Sequence, residues 1–382
     1  MKLGRRSALD DALLLGAPLI TLLLLVTYLG RHEFAVDFQH QYWVVGHRLL
    51  TSGSPYAWTH AQIASGVGAF PYPALSALLF VPFALLPETA AAVLWVAIQM
   101  SAVLATLRVL SIRDRRVYAL AFLWWPVIIG WQSGNMTLLL ALLIALVWRY
   151  RDQPILSGVL TALLISLKPF LWPIGLWLLV TRRYRSAAWA LGGGLVLNLI
   201  AWGVVGFDQL SRYLHLDSEV TSALYRYGYG VIAIAVRLGA GRSAGTVAMF
   251  VVAAGLAALC IWFGSRRRED FALLICVDLT LAASPLLWTH YLGLLLVPLA
   301  ILRPRLSIEW LLPLLIWLCP GGLQESAWQV ALFALITATL TYLLLKRRPP
   351  AEDLTPELVV SDQRRSGQAH VLATAQGGER AG

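Results

Sequence analysis

The sequence predicts an all-α polytopic membrane protein of about twelve transmembrane helices, and three observations carry that reading. Of its 382 residues, 59% are hydrophobic and only 13% are charged, whereas soluble domains run near 45–50% and about 25%. The mean hydropathy is +0.70, an apolar surplus larger than a single soluble core can hide. Apolar stretches of spanning or near-spanning length recur along the chain, punctuated by clusters of arginine. This composition excludes a disordered protein and a disulfide scaffold. The formal charge of +10 then records orientation in a bilayer rather than affinity for nucleic acid.

A membrane-crossing helix needs about 20 mostly apolar residues. The candidate spans are 12–30, 89–109, 117–131, 136–148, 154–167, 170–181, 187–206, 246–264, 270–288, 291–302, 306–319 and 327–345. The first follows Lys2, Arg5 and Arg6 and has the flanks of a signal peptide. No small-x-small cleavage site follows its roughly 18 apolar residues, so it reads as a retained first helix. The next is closed by Arg108, Arg113, Arg115 and Arg116. Polar residues at 132–135 separate the third and fourth spans, and Lys168-Pro169 separates the fifth and sixth. Cys260, Cys276 and Cys319 sit inside apolar runs with neither CxxC spacing nor a flanking histidine, and read as small packing residues.

The segment 70–87, FPYPALSALLFVPFALLP, decides the orientation. It is apolar enough to cross, but Pro71, Pro73, Pro82 and Pro87 interrupt it. If it does not cross, every strong basic cluster falls on one side, which with the tail then holds 23 of the 30 Lys and Arg. Cytoplasmic loops carry such an excess. Both termini are therefore expected in the cytoplasm, in a cell membrane, with the loops 31–88 and 207–245 and the turns 132–135, 168–169, 288–290 and 320–326 outside. Residues 1–348 form the membrane domain on this reading, and 349–382 read as a disordered cytoplasmic tail.

Polar residues that a membrane makes expensive mark the functional search, and the topology puts them on the outer face. Asp37 lies in HEFAVDFQHQYWVVGHRLL, at the beginning of a run where Phe38, Tyr42, Val45 and Leu49 recur at helical spacing and predict an amphipathic helix lying on the bilayer surface. Its carboxylate suits either a helix cap or a general base. Gln132 and Asn135 lie in the turn GWQSGN, as helix caps or as substrate contacts. Lys168 is one of three lysines, and it sits between two apolar runs on the side that usually avoids positive charge. Snorkelling or an anionic partner such as phosphate would account for it. His290 and Tyr291 end SPLLWTHY, where a packed histidine and a ligand contact are both open. Arg226, in YRYGYG of a loop that also holds Asp208, His215, Asp217 and Glu219, suits an anionic ligand or an interfacial aromatic belt.

On these residues the chain resembles glycosyltransferase family 87, within the GT-C superfamily of polytopic, polyprenyl-phosphate-sugar-dependent transferases. The resemblance rests on Asp37-Phe38 with Tyr42 and Gly53-Ser54-Pro55-Tyr56, the block 70–87 with Tyr72, GWQSGN at 130–135, Leu167-Lys168-Pro169 and SPLLWTHY at 284–291. It spans roughly residues 10–345. Two departures stand out: Tyr72-Pro73-Ala74 where many relatives have Pro-Pro after the tyrosine, and His290-Tyr291 where many have two histidines. The resemblance implies a GT-C-like fold with amphipathic or re-entrant helices at the outer face after the first span. It also implies an inverting transferase in which Asp37 deprotonates the acceptor hydroxyl. Lys168 and Arg226 become candidates for the donor phosphate, and His290, Tyr291, Gln132, Asn135, Tyr42 and Tyr72 for substrate contact.

The expected partners are a polyprenyl-phosphate-sugar donor, most simply mannose, a glycolipid or glycan acceptor, and the bilayer. One Asp and scattered histidines make no evident metal-ligand set, so a divalent cation stays an open question. Family relatives that transfer arabinofuranose leave the donor sugar open as well. Two other classes compete: a lipid or sugar transporter or flippase, for which the intramembrane Asp278 is the best feature, and a non-catalytic assembly partner that would not require Asp37.

Overall fold

The computed structural model describes residues 8–30, 34–51, 53–64, 69–319 and 326–346. The expected tail, 349–382, lies outside the described residues. Every regular element among the described residues is a helix. In order these are α1 (Ala8–Gly30), a π-helical turn (Phe38–Trp43) running into α2 (Val44–Leu50), α3 (His60–Ala64), α4 (Ala74–Phe80), α5 (Glu88–Val109), α6 (Arg115–Leu123), α7 (Trp125–Ser133), α8 (Thr137–Arg149) and α9 (Pro154–Leu167). There follow α10 (Pro173–Val180), α11 (Tyr184–Val205), α12 (Gln209–Leu224), α13 (Val231–Arg237), α14 (Arg242–Ser265), α15 (Glu269–Ala282), α16 (Leu296–Leu302) and α17 (Ala327–Lys346). Short 3-10 segments lie at Pro169–Leu171, Thr289–Leu295 and Leu312–Leu318.

The apolar stretches fall on these helices, but the count of full spans differs from the expectation of about twelve. Among the described residues, α5, α11, α14 and α17 are long and apolar enough to cross a membrane, and the bent pair α7–α8 makes a fifth if counted as one span. Proline and backbone breaks shorten the others. Lys168 is extended (φ −148°, ψ 95°) because Pro169 follows it, so α9 stops after 14 residues. At 1.5 Å per residue it reaches about 21 Å, short of a hydrocarbon core of about 30 Å. Apolar side chains on α11 (Leu191, Leu195, Leu199, Ile200) and α14 (Val247, Phe250, Val251) are exposed. Runs of that size on the outside of a protein face lipid.

The segment after α1 is packed differently from the expectation. Phe38, Tyr42 and Val45 do form one stripe, but they are completely buried against protein rather than lying on lipid. The proline-broken block supplies their partners: α4 contributes Phe80, whose ring stacks on Tyr42 at 4.3 Å, and Phe38 stacks on Trp95 of α5 at 5.8 Å. Burying aromatic side chains of this size stabilises strongly, and truncating one to alanine typically costs about 3–5 kcal/mol. The α4 helix has seven residues, and even counted on to Leu85 the apolar helix is too short to cross a bilayer alone. It serves as the inner wall on which the Asp37 segment is mounted.

Candidate active site

Asp37 stands at the head of the π-helical turn, yet its side chain makes no capping hydrogen bond there. Its Oδ2 instead accepts from Asn135 Nδ2 at 3.2 Å. Asn135 lies between α7 and α8, which bend by 117° at this point. Gly134 makes the bend: it closes α7 in the left-handed conformation (φ 71°), which residues with a Cβ seldom adopt. A Cβ on it would sit 2.8 Å from Phe38 Cβ, and its carbonyl accepts from Trp95 Nε1 at 2.6 Å. One glycine thus holds the Asn135 turn against the aromatic mount of Asp37.

Asn135 faces both ways. Its Oδ1 accepts from Lys168 Nζ at 3.2 Å and from Thr137 Oγ1 at 2.9 Å, and its amide also points at the Tyr72 hydroxyl, 3.5 Å away. It is a bridge, and the cap position of α8 belongs to Met136. Lys168, at the break after α9, is 3% exposed. Its ammonium lies 4.2 Å from the ring centre of Tyr291, 5.0 Å from Tyr72 and 5.3 Å from Phe170, a cation held by ring faces.

These groups open on a cavity of roughly 620 Å³. Asp37, Gln41, Tyr72, Gln132, Ser133, Asn135, Lys168, Phe170, Thr289, His290 and Tyr291 line it, with Tyr213, Asp217 and Thr221 on the α12 side. The His290 Nε2 and Thr289 Oγ1 atoms are buried without a hydrogen-bond partner. Buried polar atoms are almost always satisfied, so two orphans side by side on a cavity wall mark a place for a polar ligand. Among the described residues no group of three or more His, Cys, Asp and Glu is arranged to hold a metal ion.

Burial sets the protonation states. It raises the Asp37 carboxyl to about 6, against the opposing effects of the Asn135 hydrogen bond and the charges of Lys168 and His40. Burial also lowers Lys168 to about 7, partly offset by the Asp37 charge. A carboxylate and an amine that both titrate near neutrality, in one cavity, are what proton transfer to and from a substrate requires. Tyr72 is pushed up to about 12, first by burial and then by the Asp37 charge, so it stays a neutral hydroxyl.

Of the nine site candidates from the sequence, seven line the cavity, Asp37, Tyr72, Gln132, Asn135, Lys168, His290 and Tyr291, and Asp217 of the 207–245 loop joins them. Tyr42 does not; it packs behind Tyr72 with ring centres 5.7 Å apart and supports it. Arg226 does not line the cavity either. It is exposed, with its guanidinium over the Tyr225 ring. Beyond it, the left-handed Gly228 (φ 73°) packs against the Leu287 carbonyl, which accepts from Tyr229 N at 2.8 Å. The sequence reading missed Gln41, Ser133, Thr289, Tyr213 and Thr221. Only the last two left a signal, recurring with Asp217 at four-residue spacing.

Comparison with known proteins gives the family. A model described as glycosyltransferase family 87 matches residues 70–285. The chain belongs to glycosyltransferase family 87. Over 295 residues it is 26% identical to the polyprenol-phosphate-mannose-dependent alpha-(1-2)-phosphatidylinositol pentamannoside mannosyltransferase of Mycobacterium tuberculosis (strain CDC 1551 / Oshkosh), a match covering 72% of this chain and 64% of that protein. With the protein of the same name in Mycolicibacterium smegmatis (strain ATCC 700084 / mc(2)155) it is 25% identical over 280 residues, 67% of this chain and 62% of the relative. The chain therefore matches a little under two thirds of the length of these relatives. No solved structure matches. The family match takes in Tyr72, Asn135, Lys168 and Asp217, while Asp37 and His290 lie outside its bounds. Family membership and the exposed apolar helices together make this an integral membrane protein.

Proposed function

We propose that this protein is an inverting membrane glycosyltransferase that moves mannose from a polyprenyl-phosphate donor to a lipid-linked or glycan acceptor at the outer membrane face. One observation carries the reading: Asp37 and Lys168 share one cavity and are joined through Asn135. Mannose and a polyprenol-phosphate donor come by likeness to the two relatives, named as polyprenol-phosphate-mannose-dependent mannosyltransferases.

In the proposed reaction the acceptor hydroxyl gives its proton to an Asp37 oxygen while its own oxygen attacks the anomeric carbon. The bond from that carbon to the phosphate oxygen breaks, and the electron pair leaves with polyprenyl phosphate. General-base assistance of this kind is worth about 10²–10⁴-fold. The leaving phosphate gains negative charge, which Lys168 neutralises once protonated; an arriving phosphodiester itself favours that protonation. The buried orphans His290 Nε2 and Thr289 Oγ1 suit the remaining phosphate oxygens. Tyr72 and Tyr291 hold the ammonium and shape the sugar space. Phosphate contact is assigned to Lys168 and His290, without Arg226.

The test is transfer of radiolabelled mannose from polyprenyl-phosphate-mannose in membranes containing wild type or Asp37→Asn. Wild type is expected to transfer and the variant to lose at least about a hundredfold. Equal activity in the two would remove Asp37 as the base.

A further inference from the structure

We propose that Asp217, with Thr221 one turn further on, forms a subsite that grips a pair of adjacent sugar hydroxyls. The inference rests on the transferase reading and extends it to a residue outside the Asp37–Lys168 bridge.

The argument starts from α12. Tyr213, Asp217, Val220, Thr221 and Leu224 all line the cavity, positions that share one face of a helix. Leu216, Val220 and Leu224 are buried and seat the helix. Its start is tied down by Gln209, which pairs with Ser54 of the loop before α3. Tyr213 is wedged beside Tyr56 at 5.6 Å and Trp202 at 5.7 Å. The face that carries Asp217 is therefore a fixed wall.

Asp217, exposed on the cavity wall, lacks the partner that most carboxylates of the fold have. Glu219, on the same helix, meets His215 at 3.3 Å and His60 at 3.8 Å. Glu269 holds Arg183, Glu309 holds Arg303, Asp278 accepts from Thr341 and Asp37 accepts from Asn135. Asp217 has no hydrogen-bond or ion-pair partner among the described residues. Its charge is nevertheless felt inside the wall, where it follows burial as the second cause holding the Tyr213 hydroxyl above its usual range.

An open carboxylate on a cavity wall selects its ligand by charge. It repels a phosphate, so it belongs to a different part of the substrate from Lys168. A single carboxylate without further ligands does not hold a divalent cation. Neutral hydroxyl donors remain, and two carboxylate oxygens match two neighbouring hydroxyls, as charge-assisted bonds of the stronger kind. Thr221 adds a hydroxyl that both donates and accepts, and the Tyr213 ring offers an apolar surface for the sugar's C–H face. Donor sugar and acceptor glycan both carry such hydroxyl pairs.

The experiment measures KM for donor and for acceptor separately, with Asp217→Ala, Asp217→Asn and, as a control on the same helix, Glu219→Gln. Loss of a charge-assisted pair predicts a rise of about 10–100-fold in one KM for the alanine variant, with kcat within about threefold. The substrate whose KM rises identifies the sugar that is gripped. Both KM values within twofold of wild type would overturn the subsite. Thermal unfolding of the purified variants guards against misfolding, and the near-isosteric asparagine covers an alanine variant that fails to fold. A second arm reads quenching of tryptophan fluorescence by methyl α-mannoside, since Trp288 lines the same cavity. If wild type fails to transfer mannose but binds the mannoside in an Asp217-dependent way, the transferase reading falls and the subsite stands. If it neither transfers nor binds, or binds equally without Asp217, the subsite is overturned.

Discussion

Asp37 and Lys168 are linked through one amide: Asn135 donates to Asp37 Oδ2 at 3.2 Å and accepts from Lys168 Nζ at 3.2 Å. A direct ion pair would engage the carboxylate with the ammonium and quench both. The interposed amide keeps them electrostatically aware of each other while leaving each free to meet a substrate.

That arrangement predicts the pH profile. Asp37, raised to about 6, must lose its proton to act as a base, so kcat/KM rises as pH passes through about 6. Lys168, lowered to about 7, must keep its proton to neutralise phosphate, so the rate falls as pH passes through about 7. Lys168→Arg should retain part of the activity and lose the alkaline fall, because arginine stays charged. Mannose transfer measured from pH 5 to 9 in both proteins checks this; an unmoved alkaline limb would separate Lys168 from it.

Asn135→Ala removes the hydrogen bond that holds Asp37 down. The acid limb of the profile should therefore move to higher pH. Loss of a bond to a charged group, about 1.5–3 kcal/mol, corresponds to a drop of roughly 10–150-fold in kcat/KM. A pH–rate series on this variant reads both effects, and an acid limb moved downward would contradict the bridge.

Gly134→Val should be more damaging than its size suggests. The position has φ 71° and its Cβ would meet Phe38 Cβ at 2.8 Å, so left-handed strain of about 1–2 kcal/mol adds to displacement of the Asp37 mount. The expected result is near-complete loss of transfer together with a lower unfolding temperature, measured on purified protein.

Lys168→Ala and Arg226→Ala should separate cleanly. The first is expected to raise the donor KM at least tenfold, the cost of losing one charge-assisted contact. The second, an exposed arginine off the cavity, should leave it within about twofold. Donor titrations at saturating acceptor decide, and equal effects would restore Arg226 to the phosphate.

Orientation has its own test. Cysteine placed at His60, whose side chain is 91% exposed, should label from outside intact cells, and cysteine placed at Arg113 should not. Labelling at 113 from outside would mean that 70–87 crosses after all.

Much of the site was legible in the sequence because membranes make polar groups conspicuous. Asp37, Asn135, Lys168 and His290 stand out against apolar neighbours, and burial is what perturbs them. The break at Lys168-Pro169 was legible too, since a residue before proline is pushed out of the helical region. The number of full spans was not, because hydropathy counts apolar residues and does not see that α9 or α15 stops short of a bilayer's thickness. Nor was the inward face of the Phe38–Tyr42–Val45 stripe, since helical periodicity cannot say whether lipid or Phe80 will cover it. Arg226 is a related case: composition put it beside the site, and it lies exposed off the cavity.

The cavity draws on six separate stretches, from Asp37 to His290. A ribosome adding about 5–20 residues per second needs roughly 10–50 s to travel between those two positions. Throughout that interval the cavity lacks the wall that carries Thr289, His290 and Tyr291. Partial products released by truncation or proteolytic trimming before α16 would therefore be inert rather than weakly active or promiscuous. On the proposed reaction, a newly inserted copy could use its donor only once that last wall arrives.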